Sequence, residues 1–548
     1  MTEKIERAAL PSLNRLWPFA GGEISDIGVD GSYVEEAQAA AGPDEIVARV
    51  DAVCICSSDI KIIRMGAAHP LFADRDLKRS PAVLGHEMAL TVCDVGERWK
   101  DRFRPGDRLG LQPAIMVDGV RRTVGMDLPG AFAQFIRLDA RVLAGAGPYV
   151  FPVPADISAA IIAMLEPYSC VEAAYRPNCR TVLKPGGSLL VVGFAGADAV
   201  ALDVACPEGA AVTLVGGGEA AEAWAGPRRA GAFATLDAFL AAPAGAQPYD
   251  DILVLGRPDV AAIERLVPRL ARGGLMALVG AATEAAPVVV DAARIHYHEL
   301  SFLGAPGPSV AEAFAPSRHR FAPRAGGTML ILGAGGAMGR IHVHRALELA
   351  DGPATVIAAS RKADRCASLE ADFGPLARRH GKRLVVAQDH AVAETVARLA
   401  PDGCDDVAVV APEVEAIERG AAMMKPDGLL VLFAGMAFGK ACRLPLGRIA
   451  SQGARFTGST GSTVADQIAV LDRVVEGSLD LSGNLEAVAG FGALPEALAA
   501  VSEGRVSGKI AIYPGRLDLP VTRIAGLRPA AAEGTRWTPD DERRLVEG

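Results

Sequence analysis

What this chain lacks narrows its function before any motif is read. No stretch reaches the ~18 consecutive apolar residues of a membrane-spanning helix, which predicts no membrane partner. Aromatic residues make up only 5% of the chain, no basic cluster is interleaved with them, and the net charge is -9. That balance excludes nucleic-acid binding as the main role. The nine cysteines are scattered without even spacing, so a disulfide framework is not expected and a reducing cytoplasm is. Residues 1–7 (Met-Thr-Glu-Lys-Ile-Glu-Arg) carry charge where a secretory signal needs an apolar run.

What is present reads as a globular enzyme. With 548 residues, 50% hydrophobic and 22% charged, the chain should divide into about three domains. Residues 45–53 and 89–95 alternate in hydrophobicity as half-buried strands, so the first ~170 residues read as β-rich. Beyond Pro185-Gly186-Gly187, short apolar runs such as residues 188–192 alternate with alanine-rich segments, the pattern of βαβ units on a parallel sheet.

An internal repeat organises this second part. Val260-Ala-Ala-Ile-Glu-Arg265 recurs as Val414-Glu-Ala-Ile-Glu-Arg419, and Gly274-Leu275 as Gly428-Leu429. Arg294-Ile295, Phe302, Gly304 and Val310-Ala311 recur as Arg448-Ile449, Phe456, Gly458 and Val464-Ala465, all at an offset of 154. Two nucleotide-fold domains in tandem follow. The fold class expected is therefore α/β, a β-rich catalytic domain with two tandem Rossmann-type doubly wound parallel sheets. Domain one takes residues 1–180 and is completed by about 475–548; copy one takes 181–320 and copy two 326–474.

The copies differ where a dinucleotide would sit. Copy two has Gly333-Ala-Gly-Gly336-Ala-Met-Gly339 between a short apolar strand and a helix-like segment, the context the dinucleotide fingerprint requires. Copy one has Asp198-Ala199 where the third glycine should stand. A carboxylate there repels a pyrophosphate and a β-carbon obstructs helix–strand packing, so copy one is read as degenerate. In copy two the strand after the glycines ends in Ser360-Arg361-Lys362 rather than a carboxylate. A hydroxyl and two cations accept a ribose 2′-phosphate, which favours NADP over NAD; Asp364 comes too late to hold a 2′-hydroxyl. The cofactor-binding candidates are Gly333, Gly335, Gly336, Met338, Gly339, Ser360, Arg361 and Lys362.

The second chemical cluster lies near the start. Cys56-Ser57-Ser58-Asp59, Gly85-His86-Glu87 and Glu166-Pro167 supply a thiolate, an imidazole and carboxylates, a ligand set for a zinc with one position open to substrate. Taken singly, Cys56 is a small buried hydrophobe and His86 a core histidine; together they point to metal.

These motifs, with Ser58-Asp-Ile-Lys61, Gly66-Ala-Ala-His-Pro70, Gly110-Leu-Gln-Pro113 and Gly458-Ser-Thr-Gly461, resemble zinc-dependent medium-chain dehydrogenases of the sorbitol dehydrogenase type. The likeness extends to the L-sorbose-1-phosphate reductase-like members, across nearly all of the chain except copy one, which such proteins ordinarily lack. The resemblance implies a GroES-like catalytic domain and definite roles. Cys56 and His86 would bind zinc, with Glu87 and Glu166 as the remaining ligand candidates. Asp59 would orient His86, Ser58 would hydrogen-bond the substrate oxygen, and Lys61 would stand at the place of a relay histidine. Cys54 and Cys170 fall off the family's positions and are read as packing residues. No cysteine lies between Cys93 and Cys170, so the cysteine-rich lobe for a structural zinc is missing and one zinc per chain is expected.

The function implied is hydride transfer between NADP(H) and a polyol, sugar or sugar phosphate. The alternative is a non-catalytic dinucleotide-binding scaffold or redox sensor, which has no use for an open metal position; a zinc lyase is a third option. Relatives of this kind commonly dimerise by joining sheet edges into one continuous sheet. Residues 300–304 and 454–458 are the corresponding edges here, so copy one is expected to pair with copy two as an internal pseudo-dimer. A monomer or a homodimer is compatible with that arrangement.

Overall fold

The computed structural model describes residues 10–144, 148–177, 180–280, 286–527 and 537–547; the charged segment 1–7 lies outside them. Two compact units divide the chain: residues 1–171 with 461–548, and residues 172–460. Among the described residues no helix is long and apolar enough to cross a membrane.

The first unit is built on strand β1 (Ile46–Cys54), helix α1 (Ser57–Met65), β2 (Glu87–Val95), β3 (Arg108–Leu111), β4 (Phe135–Leu138), β5 (Val150–Pro152) and helix α2 (Leu165–Ala173). β1 is buried more continuously than the alternation in its sequence suggested: Ile46, Val47 and Ala48 and again Ala52, Val53 and Cys54 are buried, and only Arg49 is exposed, because both faces of the strand are covered. The sheet runs β5-β3-β2-β1, then on to Lys509–Tyr513, Leu485–Gly490 and Thr522–Arg523, with β4 also paired to β1. Two junctions in this sheet build the site. Cys54 at the end of β1 stands opposite Glu87 at the start of β2. The strand Lys509–Tyr513 joins the same end of β1 at Val53 and Cys54. The apolar residues around these junctions form one core with Trp17, Phe19, Phe132 and Phe491, all almost fully buried.

The second unit holds two six-stranded parallel sheets. Copy one contains β6 (Ser188–Gly193), β7 (Ala211–Val215), β8 (Arg229–Phe233), β9 (Tyr249–Leu255), β10 (Leu270–Val279) and the edge strand Ser301–Ala305, in the order β8-β7-β6-β9-β10-edge. Between β10 and that edge lie β11 (Val288–Asp291) and α3 (Ala292–Tyr297); the edge strand itself is β12. Copy two contains β13 (Thr328–Leu332), α4 (Ala337–Glu348), β14 (Thr355–Ser360), α5 (Ala363–Arg379), β15 (Arg383–Gln388), β16 (Cys404–Val409) and β17 (Met424–Leu432). It continues with β18 (Ala441–Leu444), α6 (Gly447–Gln452) and its own edge, β19 (Arg455–Gly458), giving the order β15-β14-β13-β16-β17-β19. Both sheets have the doubly wound order, with the topological switch beside the first strand.

The degeneration of copy one is structural as well as chemical. Where copy two has the 12-residue helix α4, copy one has only a three-residue 3-10 turn at Ala197–Ala199. The segment after it packs Val200 over the sheet in place of a helix, with Leu202, Val204 and Cys206 partly buried beside it.

The two copies meet about a local two-fold. β11 and β18 pair antiparallel with Val288 opposite Leu444, Val289 opposite Arg443 and Val290 opposite Cys442. Arg443 is the counterpart of Val289 at the repeat offset, and the flanking pairs exchange partners, which is the self-complementary pattern of an isologous contact. The edges are buried: every residue of β12 and of β19 is inaccessible. A Cβ on Gly304 would meet the backbone of Ala450, and one on the equivalent Gly458 would meet His296. The expected continuous sheet is not formed, however. Among the described residues no ladder joins β12 to β19; instead the Arg455 guanidinium donates to the carbonyl of Phe302 at 2.8 Å. A long arginine between the edges substitutes for a backbone ladder.

Candidate metal centre and dinucleotide turn

Helix α1 begins directly after Cys56, and Asp59 explains the geometry. One Asp59 oxygen accepts the Cys56 backbone N–H at 2.9 Å, closing the first turn as a capping box. The other lies 3.3 Å from Nδ1 of His86. Both side chains are buried, so the ring is held with its second nitrogen toward Cys56. Burial opposes a charge on His86, but Asp59 and Cys56 outweigh it and hold the imidazole well above its ordinary value.

The possible ligand atoms of Cys56, His86 and Glu87 all lie within 4.8 Å of one another, and all three residues are buried. The Ser58 hydroxyl stands 3.3 Å from the Cys56 sulfur. Glu87 is fully buried; Oε1 accepts from Lys509 Nζ at 2.5 Å, whereas Oε2 has no hydrogen-bond partner among the described residues. An unmatched carboxylate oxygen costs free energy in a dry interior unless a cation meets it. Glu166, in the first turn of α2, accepts from the Cys170 thiol at 3.3 Å. Burial pushes Glu166 up against the pull of His86, and Glu87 adds to the rise. The cluster thus gathers a thiol, an imidazole and two carboxyls in Cys56, His86, Glu87 and Glu166, a donor set that suits a divalent cation. The residues present fit a catalytic zinc.

Sequence reasoning missed two members of this cluster. Lys509 lies 422 residues from Glu87 in sequence, and no local motif marks it. Cys170, read as packing, touches the Glu166 carboxylate; its position one helical turn after Glu166 was the available signal. Lys61 falls elsewhere. It stands on the exposed face of α1 beside Ser57, Arg64 and Ser502, in a solvent-open cleft of about 400 Å³. Burial and the Lys61 charge hold His69 low, and His69 Nδ1 accepts from Leu71 N, a loop-capping role.

In copy two the glycines form a close strand-to-helix turn. Gly333 turns the chain at φ +87°, which a side chain would oppose. A Cβ on Gly339 would collide with the carbonyl of Gly333. Gly336 is the N-cap of α4, and a Cβ there would meet nothing within 4 Å, so this helix start faces open space. Such a terminus accepts a pyrophosphate. Gly335 backs onto the Ser360 hydroxyl and the Arg365 side chain. Ser360 is buried at the end of β14, Met338 is part-buried in the first turn of α4, and Lys362 is exposed at the start of α5. Arg361 is 72% exposed and paired with Glu413 at 2.7 Å, a surface pair worth at most about 1 kcal/mol and easily exchanged for a phosphate. Arg365, one turn beyond Arg361, is a further cation that the sequence reading missed.

The comparisons agree with this architecture. Residues 42–147 match the alcohol dehydrogenase GroES-like domain. The chain is 27% identical over 164 residues to L-sorbose 1-phosphate reductase of Klebsiella pneumoniae, covering 28% of this chain and 39% of the relative. It is 38% identical over 74 residues to sorbitol dehydrogenase of Mus musculus, covering 14% of this chain and 19% of that one. The chain thus spans about two fifths or less of the length of these curated relatives. Among solved structures it is similar to 2R,3R-butanediol dehydrogenase from Bacillus subtilis, with a TM-score of 0.52 and 14% identity over 92% of this chain and 100% of that one. That likeness bears on fold: a GroES-like domain with Rossmann-type sheets.

Proposed function

We propose that this chain is a zinc-dependent oxidoreductase that interconverts an alcohol and a ketone on a polyol, sugar or sugar phosphate, with NADP(H) as hydride carrier. The observation that carries the reading is the dry triangle of Cys56, His86 and Glu87 with one Glu87 oxygen unmatched. Cys56 and His86, with Glu87 or Glu166, would hold the metal. Zinc supplies Lewis acidity to a carbonyl oxygen, and the nicotinamide supplies or takes the hydride.

The chain's own groups do the rest. Ser58, beside the Cys56 sulfur, hydrogen-bonds the substrate oxygen and passes it a proton. Asp59, with one oxygen 3.3 Å from His86 Nδ1, orients the ring by charge. Lys509 restrains the Glu87 carboxylate through one oxygen. In copy two, the start of α4 receives the pyrophosphate, and Ser360 with Arg361 and Arg365 receives the 2′-phosphate. The relatives' printed names, a sugar-phosphate reductase and a polyol dehydrogenase, support this substrate class.

Metal content decides the first half of the reading. Elemental analysis should give one zinc per chain, lost together with activity in Cys56→Ala and His86→Ala while the circular dichroism of the fold is retained. Full activity in a metal-free His86→Ala protein ends it.

A further inference from the structure

Copy one has lost the helix that would receive a pyrophosphate, yet it keeps a detailed contact with the copy that has not. That contact falls on one loop. Residues 433–440 leave the carboxyl end of β17, and His296, Tyr297, His298 and Asp291 of copy one hold them at successive points. His296 Nδ1 is 3.1 Å from the carbonyl of Leu432, a buried hydrogen bond. A Cβ on Gly435 would collide with the Tyr297 hydroxyl. The rings of Tyr297 and His298 lie 5.5 and 5.2 Å from that of Phe438. Asp291 accepts the Gly439 N–H at 2.8 Å. From the opposite side Phe433 packs edge-on against His342 of α4, with centroids 4.6 Å apart.

The position of this loop gives the contact its meaning. In a doubly wound sheet the dinucleotide lies across the carboxyl ends of the strands, one half over each set of three. The glycine turn and Ser360 occupy the ends of β13 and β14, the adenosine half. The loop after β17 belongs to the other set, where the nicotinamide must lie. The residues that make the contact are not repeated in copy two. At the repeat offset, His296, Tyr297 and His298 correspond to Ala450, Ser451 and Gln452, which carry no rings. A purely structural two-fold gives no reason for that asymmetry; a single live cofactor site does.

We propose that copy one is retained as an in-chain positioning element for the cofactor site of copy two, with Tyr297 and His296 setting the loop that receives the nicotinamide half. This rests on the reading of copy two as the dinucleotide site. It gives the extra domain a role in the reaction without a ligand of its own.

The test separates the two halves of the cofactor. Binding of NADPH and of 2′,5′-ADP, which has no nicotinamide, is titrated on the full-length protein and three variants. Gly435→Ala should weaken NADPH about tenfold and leave 2′,5′-ADP within about twofold, one positioning contact's worth. Adding Tyr297→Phe should restore NADPH binding, because the new Cβ then meets the ring edge at 3.3 Å instead of a hydroxyl. If Gly435→Ala does not fold, Tyr297→Ala carries the same expectation for the two probes. Equal weakening of both probes, or no rescue by Tyr297→Phe, overturns the inference. Wild-type protein that binds 2′,5′-ADP but not NADPH overturns it too. Wild-type protein that binds neither overturns the cofactor reading itself, and this inference with it.

Discussion

At the residue scale the centre is a balance of buried charge. Cys56, Asp59, His86 and Glu87 were legible because each sits in a short local motif whose chemistry needs those types. Lys509 was not, since only the fold brings the strand Lys509–Tyr513 against the end of β1. Arg365 was hidden for a milder reason: it becomes a neighbour of the glycine turn only because α5 makes one turn after Arg361. The buried Lys509–Glu87 pair gives a prediction that a surface pair would not. Lys509→Met should destabilise the zinc-free protein by about 3–5 kcal/mol, the cost of leaving a buried carboxylate alone. Zinc should recover a large part of that loss, because the cation takes over as partner. Urea unfolding with and without zinc measures both values; an equal loss in the two conditions would disconnect Glu87 from the metal. At the cofactor turn, Ser360→Asp should weaken NADP by placing a carboxylate against the 2′-phosphate. Binding titrations that find the wild type tighter for NAD would refute the NADP preference.

At the scale of elements, the repeat was legible from its register, but its damage was read only chemically. Asp198 and Ala199 spoil a fingerprint; the structure shows that the whole helix is gone. The signal was present in the sequence, where the offset grows from 140 at Gly193 and Gly333 to 154 at Val260 and Val414. A shortened copy cannot keep every helix. The C-terminal helix Pro539–Glu547 contributes a specific contact. Glu542 accepts from Ala159 N at 2.6 Å and Ala160 N at 3.0 Å, satisfying free N–H groups at the start of Ala159–Ala163, and from the Tyr513 hydroxyl. Glu542→Ala should therefore cost about 1–3 kcal/mol, read as a lower thermal midpoint. In copy two, burial and the Arg345 charge push His342 on α4 down to about 3, while Tyr175 bonds its Nδ1 at 2.6 Å. The unfolded chain binds that proton near pH 6.5 and the folded one does not. Stability should then be unaffected above about pH 6.5 and fall as the pH drops toward 3. His342→Gln should flatten that acid limb in denaturation measured across this range; an unchanged slope would contradict the assignment.

At the scale of the whole molecule, a duplicated sheet supplies a self-complementary contact inside one chain. β11 pairs with β18 about a local two-fold, and the facing edges β12 and β19 are buried. The covered β12 and β19 are closed to a second chain, although the opposite edges β8 and β15 stay partly exposed, and the tether makes the internal pairing the more concentrated one. Light scattering should give the mass of one chain, with one NADP bound per chain; two dinucleotides per chain would overturn the view of copy one. The central claim, zinc-assisted hydride transfer with NADP(H), is tested most directly by turnover. NADPH consumption is followed against a panel of ketoses and their phosphates, with the zinc-loaded protein and with the same protein stripped by a chelator. The account predicts consumption with at least one sugar or sugar phosphate, its loss on stripping, its return on adding zinc, and slower turnover with NADH. Undiminished turnover in the stripped protein would contradict it, as would no turnover of any member by a protein carrying one zinc.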